Sequence, residues 1–163
     1  MRADDQPPPL HLFAREGLAI AARFYRALGR LGEFGPEDGP RLMVIPGFLA
    51  SDHTTLGLQR ALGKEGYRVT GWGMGLNKGA KPDTLDRIVE RVEHFGSGRS
   101  VMLLGWSLGG LYAREAAKAR PDLVEKVVTL GSPFSGDLRA NNVWRLYEII
   151  PGHPVDNPPI ELD

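Results

Sequence analysis

Two short runs of unbroken apolar residues, LMVIP (42–46) and SVMLL (100–104), constrain the fold of this 163-residue chain most strongly. Runs of this length without polar alternation predict strands buried on both faces. YRVTGWGM (67–74) and VEKVVTL (124–130) predict two more strands. Helical stretches lie between them. HTTLGLQRALGKEG (53–66) has Ser51 or Asp52 as a candidate N-cap and Gly66 as its stop. A second stretch follows Asp83, a candidate cap, and its Leu85, Ile88, Val89 and Val92 form one apolar stripe. The third, LGGLYAREAAKAR (108–120), ends at Pro121. Parallel strands need crossover helices, so the alternation predicts an α/β fold: a three-layer sandwich with a mostly parallel sheet, four strands of it visible.

Outside this rhythm the chain reads differently. Residues 1–9 read as a disordered tail, and Leu10, Phe13, Leu18, Ala22, Phe24, Tyr25 and Leu28 predict a helix weakened by Gly17. GEFGPEDGP (32–40) is turn chemistry. After Thr129, GSPFSGD reads as a loop, NVWRLYEII (142–150) as a short amphipathic helix and PGHPVDNPPIELD as a Pro-rich tail. The resulting division is a tail at 1–9, a domain over 10–141 and a lid-like or unstructured segment over 142–163. The fourth strand is left as an open sheet edge, to which another strand could pair.

Composition excludes several functions. Lys+Arg and Asp+Glu are both 20, which argues against a nucleic-acid partner or an anionic membrane surface. With no cysteine there is no disulfide, no thiolate nucleophile and no Cys-ligated metal. No apolar stretch reaches the ~18 residues of a membrane span, and MRADDQPPPL lacks the basic start and apolar core of a signal peptide, so a cytoplasmic location is expected. No cofactor is expected either. GWGMG (71–75) is followed by NKGAKP rather than a helix, which a dinucleotide site would need, and no phosphate-loop pattern occurs. Glu90 and His94 share a helix face without any H-E-x-x-H pattern, so a solvated face is expected there and no metal.

GWSLGG (105–110) carries the chemistry. It ends an apolar strand and opens a helix, the context of a nucleophile elbow, in which a serine sits on a strained turn. Residues two before and two after the serine must be small, and Gly105 and Gly109 flank Ser107 at those positions. The helix starting at Leu108 would aim its N-terminal amides and positive dipole end at an oxyanion formed there.

With IPGFLAS (45–51) before it and LGSPFSG (130–136) after it, the elbow makes the chain resemble the α/β-hydrolase family over about residues 41–136, especially bacterial lipases and esterases. The resemblance implies the N-terminal portion of that fold and a serine ester hydrolase working through an acyl-enzyme. It makes Ser107 the nucleophile and the backbone amides of Phe48 and Leu108 the oxyanion donors. Leu49 and Trp106, with Phe48, would line an apolar approach for a hydrophobic ester or acyl substrate. In that family the order is Ser, acid, His. Here only His153 follows Ser107, in a Pro-flanked tail, while His11, His53 and His94 precede it. Asp137 and Asp156 are carboxylates without a histidine to orient. The triad is therefore expected to be incomplete and the chain to look C-terminally truncated. The alternative is a non-catalytic or split module that binds a hydrophobic ligand or a complementing chain.

Overall fold

Seven elements alternate along residues 31–132, the part of the chain that the computed structural model describes. They are β1 (Arg41–Ile45), α1 (Asp52–Lys64), β2 (Arg68–Gly71), α2 (Thr84–Gly96), β3 (Val101–Trp106), α3 (Leu108–Ala119) and β4 (Val124–Leu130). The strands form one parallel sheet in the order β2-β1-β3-β4. The expected α/β sandwich is therefore present.

Alternation of side chains along each strand divides the core into two layers. Met43 and Ile45 of β1 and Val101 and Leu103 of β3 point to one face, where they pack with Ile88, Val92 and Phe95 of α2 and Tyr112, Ala113 and Ala116 of α3. Leu42, Val44, Val69 and Leu104 point to the other, under Leu58 and Leu62 of α1. β1 is thus covered on both faces and paired on both edges, which is why its sequence is continuously apolar. The apolar stripe expected on α2 is the face it buries: Ile88 and Val92 are buried, and Leu85 and Val89 pack beside them.

Local signals account for most element ends. Ser51 is the N-cap of α1, in extended backbone, and its amide donates to Thr54 Oγ1 at 3.2 Å. Gly66, at φ 94°, follows the last turn of α1 and lets the Tyr67 amide reach back to the Leu62 carbonyl at 3.2 Å. Two expectations need correction. The strand expected over 67–74 stops at Gly71, because the Trp72 and Gly73 amides leave the sheet and donate to the Asp52 carboxylate, each at 2.9 Å. Asp83 precedes α2 but makes no side-chain cap bond. Thr84 closes that turn instead, its Oγ1 accepting from the Lys81 amide at 2.8 Å. The turn-rich stretch 32–40 also does more than turn, since Phe34 pairs antiparallel with Val69 at the outer edge of β2.

β4 is the other edge. Val127 packs inward, but Val128 and Leu130 are 39% and 42% exposed, on the side of the sheet that α1 covers only over β1 and β2. The tail at 1–9, the helix over 10–28 and everything expected after Ser132, including the 142–163 segment, lie outside the described residues.

The asymmetry of burial between β3 and β4 has a measurable counterpart. Leu103→Ala should lower the unfolding free energy by about 2–5 kcal/mol through transfer and cavity terms. Val128→Ala, half exposed at the edge, should change it by roughly 0.5 kcal/mol or less. Urea denaturation of the two variants checks the contrast.

Candidate active site

The direction of chain progression reverses at β1. From β1 the chain moves to β2 on one side, then crosses back to β3 on the other. In a parallel sheet such a reversal opens a crevice beyond the carboxyl ends of the two central strands. The loops that emerge there are 46–51 after β1 and the turn at Ser107 after β3.

Ser107 has φ 52° and ψ −122°, a backbone region that residues with a Cβ rarely occupy and that costs on the order of 1–3 kcal/mol. It is held there from both sides. Its amide donates to the Leu130 carbonyl at the end of β4 at 2.8 Å, and its carbonyl accepts from Gly110 at 2.9 Å in the first turn of α3. The flanking glycines are small for identifiable reasons. A Cβ on Gly105 would overlap the Gly109 carbonyl oxygen and the Gly110 Cα, and one on Gly109 would overlap the Ile45 carbonyl oxygen. The turn closes only because these side chains are missing. Gly110 is equally constrained, since a Cβ there would run into Ser132, just past β4.

The loop after β1 lies against this turn. A Cβ placed on Gly47 would stand 3.2 Å from Ser107 Cβ and 3.8 Å from its Oγ. Phe48 follows directly. Leu108 is the first residue of α3, and an amide at that position has no acceptor within its own helix. The structure therefore brings together Ser107, the Gly47-Phe48 loop and the start of α3. Leu49 and Trp106 are half-buried at the same end of the sheet.

The alpha/beta hydrolase fold model matches residues 40–149, most of the chain. The chain belongs to the alpha/beta hydrolase fold family. No curated protein matches it. Solved structures of the same fold include one from work on carboxylesterases of the ammonia-oxidizing Nitrososphaera gargenis, with TM-score 0.53 and 20% identity, covering 63% of this chain and 40% of that one. A probable hydrolytic enzyme from Pseudomonas aeruginosa gives 0.50 and 21%, covering 61% and 35%. A monoacylglycerol lipase from Paleococcus ferrophilus gives 0.50 and 19%, covering 66% and 44%. At these identities the likeness is one of fold. The chain spans less than half the length of each of these structures.

Of the four histidines, two lie among the described residues. His94 is exposed in the last turn of α2, whose end meets the start of β1 through Arg41 Nε, which donates to the Phe95 carbonyl at 2.7 Å. It therefore lies at the opposite end of the sheet from the elbow, about one 20 Å helix away. His53 sits half-buried in the first turn of α1. His11, His153, Asp137 and Asp156 lie outside the described residues. Among the described residues no cluster of His, Asp and Glu could hold a metal ion, and no helix is long and apolar enough to cross a membrane.

Two polar residues, Asp52, which the sequence offers only as a candidate cap, and Asn77, which it does not single out, hold the loops of the site together. Asp52, 6% exposed, accepts from the Trp72 and Gly73 amides and so ties the start of α1 to the end of β2. Asn77 is fully buried between the same loops. In the sequence both look like loop or cap residues. The partners that tie them across the fold, Trp72 and Gly73 for Asp52 and Pro46 for Asn77, lie 20 or more positions away, and no local pattern announces such a bond.

Burial raises the Asp52 carboxyl above its ordinary 3.8, against the opposing pull of the Gly73 and Trp72 amides and the charges of Arg91 and His53. The folded protein then holds this proton at pH values where the unfolded chain has released it. Stability from this group therefore falls as pH rises from 3.8 through the folded value, and levels off above it. Asp52→Asn should flatten that slope in urea midpoints followed from pH 3.8 upward; an unchanged slope would assign it to another group. The strain at Ser107 is tested separately. Ser107→Gly should be about 1 kcal/mol more stable than Ser107→Ala in the same assay, because glycine occupies the left-handed region freely.

Proposed function

We propose that this chain carries the nucleophile and oxyanion half of a serine ester hydrolase of the carboxylesterase or lipase kind. The observation that carries the reading is the left-handed backbone of Ser107 at a strand end, with Gly47 against its side chain and a helix N-terminus behind it. Such a turn lifts a hydroxyl above the sheet while amides surround the space in front of it. In the proposed reaction Ser107 Oγ attacks the ester carbonyl and its proton passes to a base. The Phe48 and Leu108 amides hold the resulting oxyanion, the alcohol leaves with that proton, and water releases the acid from the acyl-enzyme. Phe48, Leu49 and Trp106 line the approach, which suits an apolar acyl chain. Esterases and a lipase of the same fold are consistent with this chemistry.

The base and its orienting acid would come from chain that covers β4. Val128 and Leu130 are exposed there, on a strand that pairs with β3 on one side, and this apolar exposure at a sheet edge supports a partner. The same edge favours a second reading: a split or non-catalytic module completed by another chain or by a hydrophobic ligand. Without histidine and acid, the loss in rate would be several orders of magnitude, with the oxyanion donors leaving a residue of roughly 10³–10⁴ over water.

A fluorophosphonate probe separates these readings. Labelling of Ser107 in the purified 163-residue chain, abolished in Ser107→Ala, supports a base within reach. Labelling that appears only after a complementing chain is added supports the split module. A chain that folds by circular dichroism and stays unlabelled under both conditions overturns the ester hydrolase reading.

A further inference from the structure

We infer that Asn77 is a positioning residue for the oxyanion loop: it sets where the Phe48 amide stands relative to Ser107. The inference rests on the reading of that loop under Proposed function and adds a residue to it.

Asn77 lies in the loop between β2 and α2, with no solvent exposure, and nearly all its hydrogen-bonding groups are spent on residues 46–50. Its backbone amide donates to the Ala50 carbonyl at 2.8 Å, and its carbonyl accepts from the Leu49 amide at 2.7 Å. Its Nδ2 donates to the Pro46 carbonyl at 2.9 Å. Its Oδ1 accepts from Gly79 at 3.1 Å, which fixes the side-chain amide with its donor side towards Pro46. The loop is thus gripped at both ends, at Pro46 and at Leu49-Ala50, leaving Gly47 and Phe48 between.

Two consequences follow from this grip. Leu49 is drawn to φ 56°, a left-handed conformation for a branched side chain, and its amide is committed to Asn77. The Pro46 carbonyl is also the group that Gly109 approaches, since a Cβ on Gly109 would come within 2.7 Å of it. The orientation of the Pro46-Gly47 peptide therefore depends on Asn77 on one side and on the elbow helix on the other. A rotation of this peptide would carry the next amide, that of Phe48, away from Ser107. Among the backbone bonds of the described residues, the Ala50 amide donates to the Gly47 carbonyl at 3.1 Å and holds the Gly47-Phe48 peptide from the far side, but none reaches the Pro46 carbonyl. The side-chain bond closes the rotation there.

Asn77→Asp keeps the size of the side chain and the acceptor for Gly79, but sets an oxygen against the Pro46 carbonyl. Hydrogen exchange by mass spectrometry on the full 163-residue chain should show faster exchange in peptides spanning 47–50, with β3 and α3 unchanged. Fluorophosphonate labelling of Ser107 should slow by on the order of 10²-fold, the expected cost of an ångström-scale misplacement. Unchanged exchange at 47–50 overturns the inference. So does exchange that rises uniformly over the chain, which marks a merely structural role. Faster loop exchange with an unchanged labelling rate also overturns it. If the wild-type chain is labelled neither alone nor with a complementing chain, the ester hydrolase reading fails and Asn77 is judged on exchange alone. Should Asn77→Asp not fold, Asn77→Ser removes the donor without burying a charge and carries the same comparison. If neither folds, the wild-type Leu49 amide decides: exchange at the rate of an exposed amide overturns the inference.

Discussion

Everything at the candidate site depends on the burial of β1. Met43, Val44 and Ile45 are essentially inaccessible to solvent, paired to β2 and β3 within the sheet and covered by helices above and below. A strand enclosed in this way cannot shift its register without exposing one apolar set and burying nothing in return. Its carboxyl end is therefore a fixed point, and the loop that leaves it starts from a defined position beside β3. The crevice is a consequence of chain order around this strand. Had the third strand paired with β2, the same loops would emerge without facing each other.

The residues most readily read from sequence were those whose role is set by near neighbours. Gly105, Ser107 and Gly109 lie within one turn, and the apolar runs of β1 and β3 state their own burial. The stripe on α2 behaves likewise, because helical spacing alone brings Ile88 and Val92 to one face. Residues that act across the fold were not legible. Asp52 reads as an N-cap candidate beside Ser51, yet its carboxylate serves two amides at the far end of β2. The same bonds explain the premature end of β2, which β-propensity over 67–74 does not foresee. Asn77 sits in a loop of glycines and lysines, where a polar residue ordinarily faces water, and only the assembled loops reveal that it faces none.

The two edges of the sheet are managed differently. At β2, Phe34 supplies an antiparallel bridge, and Arg68 is paired with Glu33 beside it. At β4 the described chain offers no such closure, and its valines and leucine are distributed as in a strand with neighbours on both sides. The chain belongs to the alpha/beta hydrolase fold family and spans less than half the length of the solved structures of this fold named above.

The bond from the Ser107 amide to the Leu130 carbonyl gives that edge a second meaning. Strand ends at a sheet margin open more readily than central strands. Here the opening of one residue pair would release the strained turn from its backbone hydrogen bond to the neighbouring strand. Fraying of the margin and relaxation of the Ser107 backbone are then one event. Whatever steadies the end of β4 therefore also steadies the strained backbone of Ser107, so the conformation of this turn becomes a measure of how firmly the sheet margin is held.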